Sequence, residues 1–455
     1  PYRDRKIPTL YLADWPDFKL RAWQDDALSK GAPETDYIKD QIKKFAQFKL
    51  NGLVFETNPV LPKNVIDELN RFAGLYHVKL FFNEKPAGEL QEAVIQAKDR
   101  IWPDLRGLNY EIKDAVAKAK ESGAAQFLLR TSDENYFGFF ESFYLPVIWG
   151  GVNLWNAEKS GAEDYPASFN RQFSHLYFSS AAPVSDVLFD FSNLGQLKGL
   201  NGHSAQKSWE AYEGEALELS HEELQKLATA MDAFKAKTRD YLMNVSQNVH
   251  TFECFQFAVN WSNWMVKKHL AQSYIRKISL GEALPEGFND QIAGLRRELF
   301  TLRQTYQTLW KKERKDKGLS EDLKLFDIQT EATINLPYQV FSTQHPSETD
   351  SLYSVGLTAI NDTLPIYYTL DGTEPTEESP RYEAPLQVSG TAVLKACTIS
   401  NRYKGPVSTF RPSKPTSHSK GKAKTDGNGM AWVPLKELPQ PPRFFISSMA
   451  CRMPS

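Results

Sequence analysis

Over its first third the chain alternates short apolar runs with longer amphipathic stretches. Phe18 to Gln24 alternates apolar and polar positions like a strand and ends in Asp25-Asp26. Thr35 to Phe48 carries Ile38, Ile42, Phe45 and Phe48 at helical spacing, so one face of a helix is apolar. Leu50-Asn51-Gly52 is a turn signal, and Leu53-Val54-Phe55 reads as a buried strand. A second helix is predicted over Asn64 to Tyr76 and a third strand over Val78 to Phe82. This β-α-β-α-β order predicts a parallel sheet with right-handed crossovers. Ile7 to Ala13 reads as a short lead-in strand. Glu89 to Arg100 and Asn109 to Glu121 read as helices, and Gln126-Phe127-Leu128-Leu129 as a last buried strand.

Rings dominate the next stretch: Tyr136, Phe137, Phe139, Phe140, Phe143, Tyr144, Trp149 and Trp155 fall at mixed helical spacing. Their faces could stack on a flat ligand such as a sugar ring, although for any single ring core packing is the commoner role. Val184 to Phe191 is apolar without a clear period. Ser220 and Glu223 form a Ser-x-x-Glu capping box that opens a helix to about Asn244. Val249 to Ile278 and Asp290 to Lys315 continue the helical texture. From Leu336 the period changes. Tyr353 to Leu357, Pro365 to Leu370, Leu386 to Val388, Ala392 to Thr398 and Val407 to Phe410 are short strands separated by turns such as Asp371-Gly372, the pattern of a small β-sandwich.

The expected organisation is therefore α/β, then all-α, then all-β. Residues 1–165 form a β/α barrel-like region, 166–330 a helical region, 335–412 a β-sandwich, and 413–455 a polar linker and tail. A complete eight-stranded β/α barrel takes about 250 residues. The first region is too short for one, so a shortened or incomplete barrel is expected.

Composition narrows the function classes. A net charge of −2 gives no polycationic footprint, so nucleic-acid binding is not expected. No apolar stretch approaches the roughly 18 residues needed to span a bilayer. Cys254, Cys397 and Cys451 are too scattered for a disulfide framework or zinc motif, and the histidines show no ligand spacing, so no metal or cofactor is expected. Aromatic content of 13% leans toward a carbohydrate or other planar ligand. The chain opens on Pro1, as a processed or trimmed form would, with any signal peptide already removed.

A strand followed by a charged loop is how a β/α enzyme places acids at the carboxyl edge of its sheet. Asp133 and Glu134 follow the last strand directly and are the candidate catalytic pair. Adjacent like charges push one carboxyl upward, toward a general acid. The plainer alternative is a solvated turn, with Asp133 capping the aromatic helix. Arg21, Asp25, Asp26, Trp23, Tyr136 and Trp149 are the candidate substrate-binding residues. For Arg21 a clamp on sugar hydroxyls competes with an ion pair to Asp25 or Asp26.

Two stretches carry a family resemblance. Ile366 to Pro412, with Tyr368-Thr369-Leu370-Asp371-Gly372-Thr373-Glu374-Pro375 and the later Leu394-Lys395-Ala396, resembles the C-terminal sandwich of chitobiases and β-hexosaminidases. Phe18 to Phe55 resembles the first β/α unit of family 20 glycoside hydrolases: Arg21, Asp25 and Lys49-Leu50-Asn51 match, while Ala22 replaces the usual Gly. Gly123 to Asn156 is similar to the last strand and helix of a divergent branch of that family. The resemblance implies a β-N-acetylhexosaminidase-type protein that hydrolyses terminal N-acetylhexosamine with help from the substrate's own acetamide. It also implies a secreted or periplasmic setting. The family's His-x-Gly-x-Asp-Glu signature is absent. Either the middle of the barrel is missing, or Asp133-Glu134 is a shifted equivalent of the pair. Gly123-Ala124 before the strand and Trp149-Gly150-Gly151 after it favour the missing middle. A catalytically degenerate carbohydrate-binding or scaffold relative is the alternative reading.

Overall fold

The structure is a computed structural model and describes residues 16–25, 35–55, 61–96, 102–132, 139–157, 165–194, 219–278, 281–313, 318–346, 352–400 and 403–411. The predicted lead-in strand at Ile7 to Ala13 and the tail lie outside them.

Five strands, β1 (Leu20–Asp25), β2 (Gly52–Phe55), β3 (Lys79–Phe82), β4 (Gln91–Gln96) and β5 (Gln126–Ser132), form one sheet in the order β3-β2-β1-β5-β4. Every pairing is parallel. Steps from β4 to β5, β1 to β2 and β2 to β3 all move in the same direction across the sheet. Right-handed crossovers therefore put the connecting helices on one face. These are α1 (Thr35–Gln47), α2 (Lys63–Gly74) and α3 (Leu105–Glu121), and α4 (Tyr144–Trp155) joins them there. Ile42, Phe45, Leu69, Ile112 and Ile148 accordingly share one core with Trp23, Leu53, Phe55, Ile95, Phe127 and Leu129. Among the described residues the opposite face holds a small cluster: Ala22, Val54, Phe81 and Leu128, flanked by Leu20 and Leu90.

The β4 segment corrects the sequence reading, which made Glu89 to Arg100 a helix. Its Glu, Leu, Gln and Ala residues favour helix locally, but six residue pairs with β5 satisfy its backbone instead. β3 and β4 are the outer strands of the sheet, and the connector between them, residues 83–90, has no helix. Eight residues reach at most about 28 Å, while the outer strands of a flat five-stranded sheet lie about 19 Å apart. The connector also has to return from a carboxyl end to an amino end, so it crosses the helix-free face almost directly. Leu90 packs on the small cluster there, and Gln126 Nε2 donates to Ala87 O at 3.0 Å.

Helices α5 (Tyr165–Tyr177), α6 (Val184–Leu194), α7 (His221–Leu242), α8 (Val249–Ile278), α9 (Phe288–Glu313) and α10 (Leu319–Asn335) follow. The apolar patch at Val184 to Phe191 resolves as α6. Its Val184, Val187, Leu188 and Phe191 recur every three to four residues and are all buried. The Ser220–Glu223 capping box forms as predicted: Ser220 accepts from the Glu223 N–H, and the Glu223 carboxylate accepts from the Ser220 N–H at 2.8 Å. α8 is the hub of this layer. It is buried on every face, from Phe252 and Phe255 to Trp261, Trp264 and His269. Helical and sheet layers share one continuous core.

The C-terminal strands form two antiparallel sheets. One is β6 (Val340–Pro346), β7 (Leu352–Ala359) and β9 (Leu386–Ser389); the other centres on β10 (Leu394–Ser400), which pairs with β8 (Ile366–Thr369), β11 (Tyr403–Lys404) and β12 (Ser408–Phe410). Val355, Leu357, Val388, Leu394 and Ala396 fill a separate core between them. Tyr403 Oη donates to Asn335 Oδ1 at 2.5 Å and Thr398 Oγ1 to Tyr338 O at 2.7 Å, which fastens this unit to the end of α10.

Candidate functional site

Because all five strands run parallel, their carboxyl ends lie along one edge of the sheet. Register brings Asp25 beside Thr131, and Gln96 beside Ser132. One residue earlier, Val94, Arg130, Gln24 and Val54 stand in a row across β4, β5, β1 and β2. Strand alternation points this row to the face opposite α1, α2, α3 and α4. Gln24 is fully buried, Arg130 is partly exposed, and Val94 is exposed. An amide and a guanidinium next to each other at the carboxyl edge can bind hydroxyl or carboxylate oxygens. Neither was singled out from sequence. The available signal was strand parity, since Gln24 and Arg130 interrupt otherwise apolar runs on that face.

Asp133, Glu134, Tyr136 and Asp26 lie outside the described residues, as does the side chain of Asp25.

The remaining candidates sit elsewhere. Arg21 lies at the amino end of β1, not the carboxyl edge. Its Nε donates to Lys49 O and its NH1 group to Phe18 O, both at 2.6 Å, and its guanidinium lies 4.9 Å from the Trp155 ring. Neither a sugar clamp nor an ion pair to Asp25 or Asp26 describes this geometry. Burial pushes its pKa down to about 10. Asn51 completes the anchor by accepting the Arg21 N–H at 2.8 Å and donating to Lys19 O at 2.9 Å. The Arg21 and Lys49-Leu50-Asn51 match thus forms one packed unit at the base of the sheet. Trp23 and Trp149 are buried in the helix-facing core instead of lining a ligand surface. Trp23 packs on Phe45 at 4.5 Å and Tyr144 at 6.0 Å. Trp149 packs on Phe169 at 4.8 Å and donates its Nε1–H to Asn109 O at 3.1 Å.

A second polar group lies inside the helical layer. The 3-10 turn Phe140–Phe143 carries Glu141, whose carboxylate is buried and faces Lys44 Nζ at 3.4 Å, Tyr177 Oη at 3.4 Å and Thr251 Oγ1. Burial pushes the Glu141 carboxyl up, while Lys44 and His250 pull the other way. Burial opposes the Lys44 charge, yet Glu141 and Asp40 outweigh it and hold its pKa above the usual lysine value. Nothing in the local pattern of Phe140-Glu141-Ser142-Phe143 marks Glu141 as buried.

Residues 347–409 match the chitobiase/beta-hexosaminidase C-terminal domain. The match covers β7 to β10 and most of the following strands, so the resemblance drawn from Tyr368 to Pro375 falls within it. No curated protein matches the chain. Among solved structures, a GH138 enzyme targeting pectin rhamnogalacturonan II aligns over 71% of this chain and 84% of its own, at 9% identity and a TM-score of 0.34. Values this low do not amount to a shared fold. Among the described residues no helix is long and apolar enough to cross a membrane.

Proposed function

We propose that the chain is a glycoside hydrolase-like protein acting on terminal N-acetylhexosamine residues by substrate-assisted hydrolysis, in a secreted or periplasmic carbohydrate-processing setting. The observation that carries this reading is the match of residues 347–409 to the chitobiase/beta-hexosaminidase C-terminal domain. It is supported by a parallel sheet wound in one direction, with the described connecting helices on one face, which is how a β/α barrel is wound. On this reading β4 and β5 are the final strands of a family 20 barrel whose middle is replaced by the connector 83–90. On this reading the barrel-like region 1–165 and the helical region 166–330 pack on one core, followed by the sandwich 335–412 and the tail 413–455.

In this mechanism Glu134 protonates the glycosidic oxygen as the leaving group departs. The acetamide oxygen of the substrate closes on the anomeric carbon, and Asp133 orients that acetamide. Water then opens the cyclic intermediate, with Glu134 taking the proton back. Arg130, partly exposed on β5, would hold a ring hydroxyl beside the reacting bond.

The test is release of nitrophenol from a panel of nitrophenyl N-acetylhexosaminides, with Glu134→Gln run in parallel. Turnover that drops at least 100-fold in the variant supports the reading. Turnover unchanged in the variant removes Glu134 from the acid role. The second reading, a catalytically degenerate carbohydrate-binding relative, is favoured by the short barrel-like region. It predicts no turnover with saturable N-acetylglucosamine binding by calorimetry.

A further inference from the structure

α8 and α9 meet where three potential metal donors converge. His250 and Cys254 are four residues apart on α8 and so lie on one helix face. Glu313, fully buried, is the last residue of α9 and closes the group. His250 Nε2 is 3.1 Å from Glu313 Oε1, Cys254 Sγ is 3.6 Å from the same oxygen, and Sγ is 3.8 Å from His250 Nε2. Three donors on one face of a zinc tetrahedron, with bonds of about 2.0 to 2.3 Å, are separated by roughly 3.3 to 3.6 Å. The observed triangle is within a few tenths of an ångström of that face.

A second feature points the same way. The other ring nitrogen of His250, Nδ1, faces Glu253 Oε2 at 3.5 Å, and Lys312 Nζ holds Glu253 at 2.5 Å. A histidine that binds metal through one nitrogen commonly directs the other N–H at a carboxylate, which sets its tautomer. A thiolate, a carboxylate and a neutral imidazole around a divalent cation also sum to no net charge, which suits an almost closed site. The thiolate disfavours magnesium and calcium, and the mixed N, O, S set suits zinc.

We infer that His250 Nε2, Cys254 Sγ and Glu313 Oε1 bind a zinc ion, with water as fourth ligand, and that the ion pins the end of α9 to α8. Binding displaces the Cys254 thiol proton to solvent. The site is independent of the hydrolase reading and lies in the helical layer, where α8 meets the end of α9. Sequence spacing concealed it, because Glu313 is remote from the His-x-x-x-Cys pair along the chain.

The test is titration of chelator-treated, folded full-length protein with Co2+. Stoichiometric appearance of a thiolate-to-cobalt charge-transfer band, with strong tetrahedral visible bands that Zn2+ then bleaches, is expected. Cys254→Ser and His250→Gln lose the charge-transfer band or weaken cobalt binding at least 10-fold, Cys397→Ser keeps it, and Glu253→Gln weakens Zn2+ binding by roughly 10- to 100-fold. Circular dichroism confirms that each variant is folded. Wild-type protein without the band, or a band that survives in Cys254→Ser, overturns the assignment. The wild-type arm decides the matter even if a variant fails to fold.

Discussion

Asn51 accepts the main-chain N–H of Arg21 at 2.8 Å, so the turn after α1 is stitched directly to the base of β1. Asn51 also donates to Lys19 O, while Arg21 reaches back to Lys49 O. The pair locks the first β/α unit from both sides. Arg21→Lys keeps the charge but cannot reproduce the fork to two carbonyls. It is expected to lower stability by roughly 3 kcal/mol, from two hydrogen bonds made by a charged group. Denaturant unfolding measures this. Sugar affinity in the folded variant should be unchanged, and a selective loss of affinity would return Arg21 to a ligand role.

Lys44 compensates a carboxylate that is buried in the helical layer. Lys44→Met removes the cation and leaves Glu141 uncompensated, at an expected cost of about 3 kcal/mol or more. The double variant Lys44→Met/Glu141→Leu removes both charges and should recover much of that loss. Thermal unfolding of the two side by side is the measurement. A single variant as stable as wild type would mean that Glu141 is already protonated at neutral pH.

Trp149-Gly150-Gly151 has a packing reason for its glycines. A Cβ on Gly151 would lie 2.8 Å from Phe48 O, a main-chain atom, and one on Gly150 would lie 2.4 Å from Leu129 Cδ1. Alanine ordinarily gains about 1 kcal/mol over glycine inside a helix. Here Gly151→Ala is expected to destabilise by roughly 1 to 3 kcal/mol, because α4 must move off the end of α1. A rise in melting temperature would contradict the close approach.

His269 is fully buried on α8, and burial, with Lys268 and Arg276 nearby, lowers its pKa to about 3. The unfolded chain protonates this ring near pH 6.5 and the folded chain does not, so acidification favours unfolding. Stability is expected to fall as pH drops from about 6.5 toward 3, and His269→Leu should flatten that limb. Urea midpoints across this range, compared between the two proteins, provide the check. Parallel curves would remove His269 from the acid response.

Local periodicity carried much of this architecture. Ile38, Ile42 and Phe45 announce the buried face of α1, Ser220 and Glu223 the start of α7, and Tyr368 to Pro375 the C-terminal domain. Each is written within two turns of helix or one short segment of chain. Positions that depend on a partner were not legible. β4 reads as helix from its composition, and only pairing with β5 makes it a strand. Trp23, Trp149 and Arg21 look like ligand contacts as residue types, yet sheet parity puts Trp23 in the core, the packing of α4 against Phe169 buries Trp149, and strand direction puts Arg21 at the base. Glu141 meets Lys44 and Thr251, and His250 and Cys254 meet Glu313, only after the layers pack. Chain order determines which side chains share a face of their own element. Tertiary packing decides which faces meet, and burial and charge at those meetings follow from it.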